Sequence, residues 1–378
     1  MANSNPFRPS FGASPPVLAG RTEVLDALAE ALDSGAGHPD FTSLLVGVRG
    51  AGKTATLNAV QEHARDRGWL VLAETAHGDL CDRLVAATLE LTLKLPGGGH
   101  RQGGRPRLAG ISALGVGVEF TGADPVDAGA LEARLRSVLT DLGSRLASEH
   151  RGLLITLDEL QGGEPPELRE FATTLQHVTR REELPVAFVG AGLPSIDDTV
   201  LQDSAITFLQ RCSRHEIAEL SDAATATAFA EPIAAHGGRI SEDALRRAVE
   251  ASNGYPFMVQ LIGFHSWRAA SSDPPRLGIA DVSSGISEAE RRLPHLVLAP
   301  IWRSMSGVDR QFALAMAQDG GETSTADISK RLGRSSSYIS TYRSRLIRAG
   351  FIRSTGHGRV DFAHQATRAW LRSPDRTP

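Results

Sequence analysis

The chain has 378 residues, 41% hydrophobic and 22% charged, with a formal net charge of −4. That length accommodates two or three domains with cores of their own, and no run of eighteen apolar residues offers a membrane span. Its two cysteines, Cys81 and Cys212, lie far apart with no His or Cys at ligand spacing, which excludes a disulfide framework and a zinc site. Without a basic-then-apolar leader the expected location is cytoplasmic. The charge is uneven: from Ile301 onward 13 Arg and Lys face 6 Asp and Glu, a balance of +7 that leaves −11 for the first 300 residues.

The opening Pro-, Ser- and Asn-rich segment is expected to wrap the surface. It ends in VLAGRTEVLDALAEAL, where Leu25, Leu28 and Leu32 recur at helical spacing after Gly20. The apolar run FTSLLV then leads directly into GVRGAGKT, Gly47 to Thr54, which has the spacing of a P-loop. Gly47, Gly50 and Gly52 let successive backbone N–H groups turn toward phosphate oxygens, with Val48, Arg49, Ala51 and Ala55 completing the cradle. Lys53 is placed for the β- and γ-phosphates and Thr54 for Mg²⁺, so the expected cofactors are ATP and Mg²⁺. A helix from Lys53 to about Arg67, the strand WLVLAET and a helix from Leu80 to Leu95 follow.

Between Pro96 and Val126 the pattern breaks into a Gly/Arg stretch and a weakly alternating strand, Ile111 to Phe120. Arg101, Arg105 and Arg107 there are either a nucleic-acid contact or the basic decoration of a solvated loop. A helix near Ala128 to His150 restores the rhythm and leads to LLITLDEL, Leu153 to Leu160. Its continuous apolar run suits a central parallel strand covered on both faces. It ends in Asp158, placed to hold Mg²⁺, and Glu159, placed to orient and deprotonate the attacking water. A helix from Pro166 to Arg181, the strand PVAFVGAG and a fifth strand within Glu216 to Leu220 complete a predicted α/β core, 1–220, with a doubly wound parallel sheet. Helices at about Asp222–His236, Ser241–Ala251 and Pro256–Ala270 predict a helical lid, 221–270, and the Pro- and Ser-rich 271–300 a linker.

The basic remainder, 301–378, reads as three helices and a hairpin. VDRQFALAMAQ has helical spacing. STADISKRLG carries Ser324 and Asp327 at capping-box distance and stops at Gly333. SSSYISTYRSRLIRAG puts Ile339, Tyr342, Leu346 and Ala349 on one face, and Ser337, Thr341, Ser344 and Arg348 on the other. FIRS, the turn TGHG and RVDFA form the hairpin.

Taken in order, the motifs resemble the AAA+ and STAND superfamily of P-loop ATPases, in particular its bacterial and archaeal Orc-like branch, over roughly Val17 to Ala270. LAGRTE, Leu18 to Glu23, resembles the signature that packs near adenine in that group and so places Gly20 and Arg21 at the nucleotide; an ordinary helix start stays open. SNGYPF, Ser252 to Phe257, resembles the Gly-x-Pro of STAND lids and places Pro256 there too; a plain turn stays open. Two positions depart from the family: Gly190, Ala191 and Gly192 stand where a polar sensor is usual, and Phe257 and Met258 where a lid arginine is usual.

Arg211 or Arg214 falls where such ATPases present an arginine finger to a neighbour, with a surface arginine as the alternative. The resemblance implies an ATP-dependent switch with slow or stimulated hydrolysis, in a homo-oligomer or with a regulatory protein. The C-terminal region resembles a winged helix-turn-helix, with Ser335 to Ala349 as recognition helix and Arg353, His357 and Arg359 on the wing. That implies duplex DNA as partner, or else contact with protein, including the acidic ATPase half.

Overall fold

The computed structural model describes residues 4–10, 12–95, 128–196, 200–201, 206–363 and 365–373. The predicted strand Ile111 to Phe120 and the arginines at 101, 105 and 107 lie outside them.

Five parallel strands form the first sheet: β1 (Thr42–Val46), β2 (Leu70–Thr75), β3 (Leu153–Asp158), β4 (Val186–Gly192) and β5 (Ser213–Glu216), in the order β2-β3-β4-β1-β5. β1 sits between β4 and β5, with Leu44 opposite Gly190 and Arg214. Helices cover both faces. α1 (Thr22–Ser34) and α2 (Lys53–Asp66) pack on the side taken by Leu45, Leu154 and Val189; α3 (Leu80–Lys94), α4 (Ala128–Ser148) and α5 (Pro165–Gln176) pack on the side of Leu44, Ile155 and Phe188. Successive residues of each strand thus enter opposite cores, which is why the central strands read as unbroken apolar runs.

The fifth strand begins three residues before its predicted start. β5 is the sheet's edge, half-exposed in an alternating pattern, so it accommodates the polar Ser213, Arg214 and His215 and carries no apolar run. It follows α6 (Thr207–Gln210), a single turn.

The lid comprises α7 (Asp222–Ala235), α8 (Glu242–Ser252) and α9 (Pro256–Ala269). Ser221 and Ser241 cap the first two through their hydroxyls. The passage 271–300, expected as a linker, is structured. β6 (Arg239–Ile240) pairs in parallel with β7 (Arg276–Leu277), and α10 (Ile279–Leu293) packs along α9. Gly285 lies so close to α9 that a Cβ would collide with Ser266, so the small residues of this passage serve a close helix crossing rather than flexibility.

After a π-type turn and the short α11 (Ala299–Ser304) come α12 (Gly307–Met316), β8 (Thr323–Ser324), α13 (Thr325–Leu332), α14 (Ser336–Arg348), β9 (Ile352–Gly356), β10 (Arg359–Phe362) and α15 (Gln365–Arg372). The three strands form an antiparallel sheet in the order β8-β10-β9. Ser324 caps α13 by accepting from Ala326, without the reciprocal bond predicted for Asp327. α15, absent from the sequence reading, buries Trp370 edge-on against Trp302. One apolar cluster runs without a break from Phe229 and Leu261 in the lid through Leu293 and Trp302 to Phe351 and Leu371, so lid and C-terminal unit share a core. No described helix is long and apolar enough to cross a membrane.

Candidate nucleotide site

β1 ends in a loop whose shape is set by glycine. Gly50 and Gly52 adopt φ of 75° and 97°, where a side chain is disfavoured. Nothing lies within 4 Å of where a Cβ on Gly52 would stand, so the loop opens at that point toward a cavity of about 420 Å³. Arg49, Gly50, Ala51, Gly52, Lys53, Thr54 and Ala55 line that cavity, and Asp158, Glu159 and Pro256 face it from β3 and the lid. Most of the predicted site thus converges. Gly47 stands behind the loop against Ile217, Val48 faces a different cleft, and Gly20 is packed against Ala224 and Leu220.

Lys53 opens α2 and is only 6% exposed. Its Nζ donates to the carbonyls of Gly47 at 2.9 Å and Val48 at 3.1 Å. Burial pulls its ammonium below the ordinary lysine range, against the pull of nearby Glu159 and Asp158. A buried cation resting on two neutral carbonyls is a site short of an anion. Thr54 Oγ1 donates to Asp158 Oδ2 at 2.6 Å, joining α2 to the end of β3. Hydroxyl and carboxylate oxygens so joined are the donor set a hard divalent cation takes. Glu159 has a left-handed backbone, φ 55°, and its N–H donates to Asp158 Oδ1 at 2.8 Å, which turns its carboxylate into the cavity. These residues fit a nucleoside triphosphate with Mg²⁺.

Arg21 is 7% exposed in the wall of the cavity. Its Nη2 donates to Ala51 O at 3.1 Å and to Ala218 O, so it braces the P-loop against the segment after β5. Burial lowers its pKa, with Glu219 opposing. Tyr255, between Gly254 and Pro256, donates its hydroxyl to Arg49 O at 3.1 Å and lies against Gly50, fastening the lid to the phosphate loop. Phe257 lines the cavity as an apolar wall.

The opening segment does more than wrap the surface. Phe7 is buried in the lid core, where it meets Phe229 and fills the space beside Gly263. Asn5 donates to Phe264 O at 2.9 Å, the Arg8 N–H to Gln260 Oε1 at 2.9 Å, and Asn58 on α2 to Ser14 Oγ at 3.0 Å. The strap runs from lid to core along one wall of the cavity. The Pro/Ser/Asn composition gave no sign of it, although Phe7 was a large apolar residue awaiting a partner.

Gln161 also escaped the sequence reading. Its amide donates to Glu159 Oε2 and accepts from Leu193 N at 3.0 Å. Arg211 is exposed just ahead of β5, at the end of the parallel sheet opposite the P-loop, and does not line its own chain's cavity.

On the C-terminal unit, Ser337, Thr341 and Ser344 share one shallow groove with Ser340 and Arg345 along α14. The side chain of Arg348 lies outside the described residues. Arg359 is held by Glu322 at 2.9 Å. Arg353 is elsewhere: it lines a cleft against the lid with Trp370, Asn253 and Arg291.

A five-stranded parallel sheet in this order, with a P-loop after β1 and an acidic pair at the end of β3, one strand away across β4, is the arrangement of a P-loop nucleotide-binding fold. In agreement, residues 17–189 match the AAA ATPase domain family, and residues 296–371 match a family described as a domain of unknown function, DUF8462. No curated protein matches the sequence. Among solved structures the fold is similar to the Walker-type ATPase PabY2304 of Pyrococcus abyssi, with TM-score 0.63 and 14% identity over 94% of this chain and 96% of that one. It is also similar to Cdc6p of Pyrobaculum aerophilum, with TM-score 0.50 and 15% identity over 96% of each chain.

Proposed function

We propose that the chain is an ATP-hydrolysing switch whose C-terminal unit, read as a winged helix, binds duplex DNA through α14. The observation that carries the nucleotide half is the convergence of a buried, anion-poor Lys53, the Thr54–Asp158 pair and the Glu159 carboxylate in one cavity walled by both core and lid. The backbone of Gly50 to Thr54 and the Lys53 ammonium would hold the phosphates, and Thr54 and Asp158 the Mg²⁺. When bound, Mg²⁺ neutralises charge on the phosphate oxygens. Glu159 accepts the proton of the attacking water at its carboxylate. Pro256, Phe257 and the strap exclude solvent, and Tyr255 transmits the state of the loop to the lid. Arg21 is occupied in bracing the P-loop, and the exposed Arg211 lies away from its own chain's cavity, available to a neighbouring copy, which supports low basal turnover until such a copy is present.

Support for the DNA half is the row of hydroxyls on an exposed face of α14 and an excess of cations in the unit. Its five described carboxylates are each already paired with an Arg or Lys, so the remaining arginines are uncompensated. A second reading, in which the unit contacts protein, is favoured by Arg353 facing the lid. Steady-state ATP hydrolysis with and without duplex decides, with Lys53→Ala and Glu159→Gln as controls. Stimulation by duplex that both variants lose supports the switch on DNA. ATP-dependent turnover indifferent to duplex removes the DNA half and leaves the protein-contact reading.

A further inference from the structure

We propose that Gln161 is a positioning residue that ties the Glu159 carboxylate to the end of β4 and, through Leu193, to the seating of the C-terminal unit on the ATPase core. This rests on the reading of Glu159 as the group that activates water.

The argument begins with what the Gln161 side chain can do. Leu193 N–H is a donor and the Glu159 carboxylate is an acceptor, so the residue between them must accept at one terminus and donate at the other. An amide does both. A glutamate in its place would put a second negative charge beside Glu159, and a shorter or apolar side chain would leave Glu159 Oε2 without its donor. One carboxylate oxygen is therefore fixed while the other stays available to water, as when a catalytic base is oriented by a third group.

The space for this amide exists because β4 ends in small residues. A Cβ on Gly192 would stand 3.3 Å from Gln161 Oε1, 3.4 Å from Leu160 Cβ and 2.6 Å from Ile196. The positions that lack a polar sensor side chain are thus the ones that admit Gln161, whose amide brings hydrogen bonding to the end of β4 from the neighbouring loop.

Leu193 has a second neighbour. Its side chain is 1% exposed, and Gly350, in the turn after α14, lies beside it: a Cβ there would stand in ordinary contact, 3.6 Å from both Leu193 methyl groups. Glu159, Gln161 and Leu193 are joined by hydrogen bonds, and Gly350 is the neighbour of Leu193, so the four residues lead from the nucleotide cavity to the base of the helix proposed to meet DNA. Movement of the C-terminal unit releases Leu193, Leu193 releases the Gln161 amide, and the carboxylate loses its fixed orientation. The unit's position thereby acts on hydrolysis without any of its side chains entering the cavity.

The test uses the full chain and four variants: Gln161→Ala, Gly350→Asn, their combination, and Glu159→Gln. Asparagine tolerates the left-handed φ of 66° at position 350 while setting a polar group against the Leu193 methyls. Two quantities are read: kcat and KM for ATP, and deuterium exchange of the segment 188–196 in nucleotide-free protein. Gln161→Ala is expected to lower kcat roughly tenfold, a part of the 10²–10⁴ a general base contributes, with KM unchanged. It also speeds exchange of 188–196. Gly350→Asn moves both in the same direction by less, and the combination is no worse than Gln161→Ala alone.

Unchanged kcat in Gln161→Ala, with turnover abolished in Glu159→Gln, overturns the inference and leaves the proposed function intact. Turnover retained in Glu159→Gln overturns the proposed role of Glu159 and the inference with it. Unchanged exchange in Gln161→Ala overturns the inference without reference to hydrolysis, and additive losses in the combination break the link to Gly350.

Discussion

A lysine buried to 6% exposure between two neutral carbonyls is unfavourable for the free protein, because the ammonium has surrendered water for acceptors without charge. Its return comes when an anion enters. Lys53→Met keeps the stem and removes the charge, so the free chain should unfold at an equal or higher temperature. The upward shift in Tm that ATP with Mg²⁺ produces in the parent should vanish, because ligand stabilisation scales with occupancy. A thermal melt with and without nucleotide reads both, and a clear destabilisation of the free variant would contradict this account of the site. The cysteines offer a second check on burial. Cys212 is pushed up to about 11, and Cys81 is also raised, chiefly by desolvation. Both thiols are therefore protonated in the fold at pH 8. The stability this represents is complete below the unfolded thiol pKa and is lost as pH rises through the folded value. A thiol reagent at pH 8 should leave both unmodified in the native chain and modify both in denaturant.

The strap, the lid and the edge strand show what an element adds beyond its residues. Phe7 anchors the strap in the lid, and removal of a buried phenylalanine ring costs about 3–5 kcal/mol. Phe7→Ala should lower the urea midpoint and weaken ATP binding together, since the same segment walls the cavity. A loss of stability with unchanged ATP affinity would show that the strap is a buttress only. These elements also mark where sequence reading runs out. The P-loop, Asp158 and Glu159 were legible because local backbone geometry and a fixed spacing dictate their residue types. Gln161, Phe7 and Tyr255 act across 32, 222 and 206 positions, and no local pattern carries such a pairing. β5 was displaced because an edge strand need not be apolar, and α10 was read as a linker because the glycine and serines that allow close packing on α9 also compose flexible chain. The position of Arg353 in the cleft against the lid was not legible, because alternation gives a hairpin two faces without saying which neighbour each one meets.

At the scale of the whole molecule, the C-terminal unit is joined to the lid by shared core and has Gly350 beside Leu193 of the ATPase core, the place through which its position is proposed to act on the cavity. What the unit recognises then determines what the switch reports. The +7 of residues from Ile301 onward already sets Lys330, Arg331, Arg345, Arg359 and Arg368 against the carboxylates that they pair with, so the charge offered to a polyanion rests on the remaining cations. The surface left for phosphates is small: Arg334 at the start of α14, stacked over Tyr338, and Arg343, whose Nη2 reaches Ser354, flank the hydroxyl row. With about two phosphates neutralised, log affinity should fall against log salt with a slope of about −1.8, a loss of roughly twelvefold between 50 and 200 mM. Arg334→Ala should flatten that slope by about one unit and weaken binding to all duplexes alike, whereas Thr341→Ala should leave the slope unchanged and alter preference among sequences if its hydroxyl meets a base edge. Titration of labelled duplex at several salt concentrations measures both. A slope near zero in the parent chain would assign α14 to a protein surface, and the cleft around Arg353 would then be the side of the unit from which the switch is read.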